Sequence, residues 1–343
     1  MSFHNGYVGG GPRLSGAGRE LDLAMRIATL LPSATEIVAA LGLAGEIVAI
    51  THECDFPPEI RDRPVVVRPR VNSHLASAAI DAAVEGALRR GESLYVLDAD
   101  ALSAARPDLI ITQDLCDVCA LPSLDVEGMA ARLPGPPRVL RLHPHTLEGV
   151  LCDIETVGRA AGRGDEARRL VAALRTRIAV VATACCAPPR RPTPRVFCME
   201  WLDPPFCSGH WMPEIVERAG GREVIGVHGR PSFRVEWDAI VAAAPEVVVL
   251  TVCGFDVRRT CAELPAVAAR PEWRALPAVA AGRVYATDGS AFFSRSGPRL
   301  VEGLEIMAAI LHPEVAARLI SPDAAAAAGR STPAGAWVRV GAS

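Results

Sequence analysis

Not one lysine occurs among the 343 residues, so arginine carries the whole positive charge. Together with abundant Ala, Gly and Pro, this reads as codon bias rather than as a functional device. Basic surplus is missing too: the net charge is −3, which argues against a basic surface built for nucleic acid. Aromatic residues make up only 5% of the chain, so their placement is informative. No uncharged apolar run reaches the roughly 18 residues of a membrane span. The first 24 residues are Gly-rich and lack the basic-then-apolar layout of a secretory signal. They are expected to be a disordered or non-native extension, with Met25 as a possible natural start. Glycine-rich phosphate loops, a GxSxG elbow and an HExxH helix are all absent, and no carboxylate pair stands out for proton transfer, so no enzyme is expected.

What is present describes a packed globular chain: half the residues are apolar, 22% are charged and the mean hydropathy is +0.22. The length suits one large or two medium domains. Ten cysteines without a secretory layout point to thiols or metal ligands and a cytoplasmic location.

Arg26–Leu31 reads as a short buried strand. Ser33-Ala34-Thr35-Glu36 then has capping-box spacing, opening a helix that Gly42 ends, and Ile47–Ile50 reads as the next strand. Such alternation predicts a parallel sheet covered by helices. An internal repeat extends the reading. Asp100-Ala-Leu-Ser-Ala-Ala-Arg-Pro-Asp-Leu-Ile-Ile111 matches Asp238-Ala-Ile-Val-Ala-Ala-Ala-Pro-Glu-Val-Val-Val249 at a constant offset of 138 positions. Between the copies, residues 147–161 are helix-periodic. A second helix from Asp165 to about Ala184, roughly 30 Å long, is suited to joining two lobes.

The expected fold is therefore α/β: two Rossmann-like lobes with mostly parallel sheets, a long connecting helix and a ligand cleft between them. The expected divisions are an extension (1–24), a first lobe (25–163), a connecting helix and linker (164–193), a second lobe (194–315) and a mobile tail (316–343).

Ligands of open α/β sheets bind on loops beyond the carboxyl ends of the strands. Those loops carry Phe56, Trp201, Phe206, Trp211, Phe255, Phe292 and Phe293, an aromatic set suited to a large ring-like ligand, although some rings can equally plug lobe cores. His52, Asp55, Gln113, Asp114 and Arg295 stand beside them as polar ligand contacts. Cys116-x-x-Cys119 and Cys207-x-x-His210 each have the spacing of a metal half-site, with Cys54, His52 or Cys253 nearby. Zinc or an iron–sulfur cluster is one reading, a redox pair another, and buried inert thiols the third. His143-Pro144-His145 reads as a turn and helix cap.

Four segments carry a family likeness: Leu31-Pro-Ser-Ala-Thr-Glu36, Cys54-Asp-Phe-Pro-Pro58, Pro204-Pro-Phe-Cys-Ser-Gly209 and Ser296-Gly-Pro-Arg299. In them the chain resembles the class III substrate-binding proteins of ABC importers, in particular the cobalamin-binding branch. The resemblance implies two lobes clamping a corrinoid with little hinge motion. Phe56, Phe206 and the loop of Phe292 and Phe293 would pack on the ring, with Trp211 added by inference from its place just beyond the matched segment. It also implies docking on a permease through one acidic side chain per lobe, at Asp100 and Asp238, although helix capping is the weightier reading of those two. The function expected is thus a noncovalent binder of cobalamin, or a related corrinoid or metal chelate, serving uptake, storage or delivery to a corrinoid-accepting enzyme. His52 or His210 are candidate axial ligands of cobalt. The alternative is a cytoplasmic metal or iron–sulfur redox protein using Cys54, Cys116, Cys119, Cys207 and His210. An extra segment at about Arg68–Leu97 departs from the family pattern.

Overall fold

The computed structural model describes residues 25–114, 123–186, 193–315 and 335–340. Two six-stranded sheets organise it. The first contains β1 (Ile27–Thr29), β2 (Ile47–Thr51), β3 (Val65–Pro69), β4 (Tyr95–Leu97), β5 (Leu109–Gln113) and β6 (Arg138–Leu142). Their order is β4-β3-β2-β1-β5-β6, parallel throughout except for β4 at the edge. The second contains β7 (Arg195–Trp201), β8 (Phe206–Cys207), β9 (Arg222–Glu223), β10 (Val247–Leu250), β11 (Val284–Thr287) and β12 (Trp337–Val340). Here β7, β10 and β11 form a parallel centre, β8 and β12 pair antiparallel at the margins, and β9 runs parallel to β7. Central strands such as Leu109–Ile111 and Val247–Leu250 are buried on both faces, which is why they read as unbroken apolar runs rather than alternating ones.

The repeat survives as backbone geometry. Helices Ala99–Ala105 and Trp237–Ala243 end at Arg106 (φ 41°) and Ala244 (φ 44°), both left-handed and both followed by proline. Each donates its N–H to the carbonyl three residues back, of Ser103 or Val241, and a fully buried residue, Leu102 or Ile240, anchors each helix. A left-handed non-glycine residue is strained, and the following proline disfavours the right-handed alternative at that position. Two lobes built on one local plan follow from this.

The expected connecting helix is Gly164–Cys186, packed against Leu147–Ala160 of the first lobe and against Met212–Arg218 and Leu300–Leu311 of the second. The first contact is close because Gly158 lacks a side chain; a Cβ there would lie 2.3 Å from the Ala167 Cβ. Across the second, Arg177 donates to both carboxylate oxygens of the buried Glu305, at 2.9 and 2.8 Å. Helix Leu300–Leu311 is buried on nearly all sides, as expected of a helix apolar all round.

Three local expectations change. The capping box at Ser33–Glu36 does not form. Helix Pro32–Ala40 begins with proline and has no side-chain cap, and Ser33 and Glu36 face the other lobe instead. The tail is not wholly outside the fold, because Trp337–Val340 extends the second sheet beside β11, with the Trp337 ring 5.7 Å from that of Tyr285. Asp100 and Asp238 are not N-caps: Asp98 caps the first helix, accepting the Ala101 N–H at 2.9 Å, and Glu236 occupies the cap position of the second. Both aspartates lie exposed in the first helical turn.

Candidate functional site

Loops beyond the carboxyl ends of the first sheet meet the second lobe along a seam, and the strand order distributes three sets of contacts along it. Beyond β1 and β2, in mid-sheet, lies a buried ion cluster. The Arg295 guanidinium donates from Nη1 to Glu36 Oε1 (3.1 Å) and Asp55 Oδ1 (2.5 Å), and from Nη2 to the Glu53 carbonyl (3.1 Å) and Ser290 Oγ (3.3 Å). Arg299 also donates to Glu36 Oε1, at 3.2 Å. Burial raises the Glu36 carboxyl above its ordinary range in spite of the two arginines. The Arg299 guanidinium lies 4.3 Å from the Phe56 ring and 4.8 Å from the Phe292 ring, holding Phe56 at the seam with 39% of its surface exposed.

Beyond β3, near one sheet edge, the extra segment closes over the second lobe as a strap. The backbone N–H of Ser77 donates to Glu263 Oε2 (2.8 Å) and the Trp201 indole donates to the Ser77 carbonyl (3.2 Å). Arg234 pairs with Asp81 at 2.8 Å. Arg259 lies 3.6 Å over the Phe255 ring and donates to the carbonyls of Ser73 (2.5 Å) and Leu75 (2.8 Å). Replacing Arg259 with alanine is expected to speed amide hydrogen exchange in residues 72–77 by at least about tenfold while costing the global fold less than roughly 2 kcal/mol. Hydrogen-exchange mass spectrometry with a parallel urea melt checks both.

Beyond β6, at the other edge, His143 and His145 meet His210 of the second lobe. The Nε2 atoms of His143 and His145 are 2.8 Å apart, and the rings of His145 and His210 are 5.6 Å apart. His210 has a left-handed backbone (φ 51°), fixed by a 2.6 Å bond from its N–H to the Arg230 carbonyl and a bond from Gly229 N–H to its own carbonyl. Gly209 allows this approach, since a Cβ there would fall 2.2 Å from the Ser232 nitrogen. Burial, helped by the neighbouring imidazoles, lowers the His210 pKa to about 4 and lowers that of His145.

Of the aromatic set, Trp211, Phe255, Phe292 and Phe293 belong to the lobe cores, and the Trp211 indole is spent on the Phe293 carbonyl at 2.9 Å. Trp201 and Phe206 are half-buried, so Phe56 presents the freest ring face of the seven. His52 is half-buried, with Nδ1 3.2 Å from the Val67 carbonyl oxygen. Gln113 is buried at the end of β5, and Asp114 next to it faces Arg141 at 3.9 Å.

Among the described residues, Cys54 and Cys207 lie in separate cores and do not come together as ligands. Cys54 is buried, with Sγ 2.9 Å from Thr35 Oγ1 and 3.4 Å from Thr51 Oγ1. Cys207 lies in the apolar core of the second lobe, where burial raises its thiol to about 12. A core position protects a neutral thiol and leaves no open face for a metal. Cys116 and Cys119 lie outside the described residues, and Cys253 is exposed. His143 and His145 were legible only as a turn. The signal for them was the His-x-His spacing just beyond a strand, which orders two imidazoles without revealing the third.

This two-lobed α/β architecture with a ligand seam is the architecture of solute-binding proteins. The family model for periplasmic binding proteins matches residues 27–291, and the chain belongs to that family. The family comprises solute-binding proteins rather than enzymes, which sets the redox-enzyme alternative aside. An uncharacterized ABC transporter substrate-binding lipoprotein, YvrC of Bacillus subtilis, is 25% identical over 297 residues, covering 84% of this chain and 80% of its own. Among solved structures, the apo form of the periplasmic heme-binding protein RhuT from Roseiflexus sp. RS-1 superposes with a TM-score of 0.65 at 19% identity, covering 84% of this chain and 98% of its own. The periplasmic vitamin B12 binding protein BtuF of Vibrio cholerae gives 0.61 at 20%, covering 85% and 98%. The expected cytoplasmic location is corrected by these relatives, which are lipoprotein or periplasmic proteins and point outside the cytoplasm. Among the described residues no helix is long and apolar enough to cross a membrane.

Proposed function

We propose that the protein captures a corrinoid or a closely related metal tetrapyrrole in the seam between its lobes and presents it to an ABC permease. The observation that carries this reading is Phe56: a large ring, 39% exposed at the seam and backed by the Arg299 guanidinium at 4.3 Å. An aromatic ring with a guanidinium against it and part of its surface open at the seam is suited to packing on the face of a flat ligand. In this reading the half-buried Trp201 and Phe206 of the second lobe also meet the ligand. The fold is shared with one binding protein for heme and another for vitamin B12. Asp100 and Asp238, exposed on equivalent helices, offer one carboxylate per lobe to paired arginines on a permease.

The test is retention. The protein is mixed separately with hydroxocobalamin, hemin and a ferric hydroxamate, desalted, and its absorption recorded. About one equivalent of hydroxocobalamin or hemin is expected to stay bound, and Phe56→Ala with Trp201→Ala is expected to weaken it at least about tenfold, the equivalent of roughly 1.4 kcal/mol. Retention of the hydroxamate alone, or of none of the three, overturns the reading.

A further inference from the structure

We propose that His143, His145 and His210 form a binding site for a free divalent transition-metal ion of the zinc or cobalt type, joining the two lobes. Three observations carry it, none of which involves the ligand seam at Phe56. The first is convergence. Two imidazoles from the loop after β6 and one from the loop after β8 meet with ring centres 4.4 Å (His143 to His145) and 5.6 Å (His145 to His210) apart. The second is unused bonding capacity. His210 Nε2 is buried and has no hydrogen-bond partner. A buried ring nitrogen left unpaired is destabilising, and a metal bond at His210 Nε2 would remove that cost. The third is that the backbone is committed to the arrangement: His210 sits at φ 51°, a conformation a non-glycine residue keeps only where the surroundings force it.

The chemistry of the donors selects the ion. Neutral imidazole suits zinc and its first-row neighbours, whereas magnesium and calcium prefer oxygen. As they stand, the described residues contain no group of three or more His, Cys, Asp or Glu that could hold a metal ion, so the three imidazoles must shift to form the site. The Nε2 atoms of His143 and His145 are 2.8 Å apart, sharing a proton as a hydrogen-bonded pair. Two nitrogens on one tetrahedral ion with bonds of about 2.1 Å stand roughly 3.4 Å apart, so the pair must open by about half an ångström. An ion held by both loops would fasten the β6 edge of the first lobe to the second, opposite the strap.

Chelator-treated full-length protein titrated with zinc chloride and cobalt chloride tests this by calorimetry and absorption. One equivalent of each is expected to bind, with cobalt giving visible d–d bands and no thiolate charge-transfer band. His145→Ala and His210→Ala should each weaken binding by more than about 100-fold, beyond the cost of losing an outer partner. His228→Ala, whose ring pairs instead with Glu214 at 3.3 Å, should leave it unchanged. Absence of saturable binding overturns the proposal. So does a thiolate band that persists in His145→Ala and disappears in Cys116→Ser. A hydroxocobalamin spectrum shifted in a His210-dependent way, without binding of free ions, also overturns it and makes the cluster an axial-ligand site. Should an alanine variant fail to fold, the wild-type cobalt spectrum still decides between nitrogen and sulfur ligands. Loss of corrinoid retention leaves the proposal standing, and loss of metal binding leaves the corrinoid reading standing.

Discussion

Replacing Arg295 with methionine is expected to lower stability by roughly 2–4 kcal/mol, somewhat less than for a fully orphaned buried charge because Arg299 still donates to Glu36. The side chain is 8% exposed and that of Glu36 is 2% exposed, so water cannot replace Arg295 at Glu36, whereas Asp55, 54% exposed, is rehydrated. In the wild-type cluster two carboxylates, Glu36 and Asp55, balance two guanidinium groups; the variant leaves a surplus negative charge beside Arg299. Burial already raises the Glu36 pKa, and losing Arg295 raises it further. A carboxyl whose folded pKa lies above its unfolded value supports the fold below the unfolded pKa and ceases to do so as pH rises through the folded one. The deficit of the variant is therefore expected to be greatest at neutral and alkaline pH and to shrink as Glu36 becomes protonated. Urea unfolding at several pH values measures this, and adding Glu36→Gln to Arg295→Met should recover part of the loss. Equal deficits across the pH series would show that packing, rather than charge, holds the seam at this point.

Glu223→Ala is expected to cost roughly 2–4 kcal/mol, since several half-buried donors lose their acceptor together. One carboxylate organises a whole turn. Its Oε1 accepts the backbone N–H groups of Val224 (3.0 Å), Ile225 (3.1 Å) and Gly226 (3.1 Å), and its Oε2 accepts those of Cys198 (3.2 Å) and the Ser208 hydroxyl (3.3 Å). Burial nevertheless raises its pKa above the ordinary value. Glu223→Gln keeps an acceptor for the three consecutive N–H groups but turns an amide N–H toward Cys198, so a smaller loss is expected. The turn continues into the segment whose Arg230 carbonyl holds the His210 N–H. Glu223→Ala should therefore also weaken zinc binding, whereas Glu223→Gln should largely retain it. Thermal melts and zinc titration on the three proteins check both effects, and an alanine variant as stable as the wild type would remove the turn-organising role.

Much of the fold was legible because it depends on local pattern. Apolar runs marked β5 and β10, periodicity marked the connecting helix, and the offset repeat announced two lobes whose helices end on matching left-handed residues. The site was legible only in part. Phe56 and Arg295 do lie at the seam, but Trp211, Phe255, Phe292 and Phe293 were assigned to a cleft they face less than they fill the cores. Composition cannot separate these uses, because an aromatic ring on a loop satisfies either. Glu36 shows the same limit: a Ser-x-x-Glu spacing promises a cap, yet two arginines more than 250 residues away draw the carboxylate across the seam.

What the sequence determined by itself was the kind of protein: two α/β lobes of related plan and a connecting helix. Hydrophobic period, proline punctuation and repetition are properties of neighbours in the chain, and they need no tertiary contact to be read. Which side chains share a site was decided by tertiary structure alone. His143 and His145 meet His210, Arg295 meets Glu36 and Asp55, and Arg259 catches the strap only when the lobes close on one another. Such pairings depend on distances of a few ångströms between residues far apart in the chain, and no local pattern encodes them.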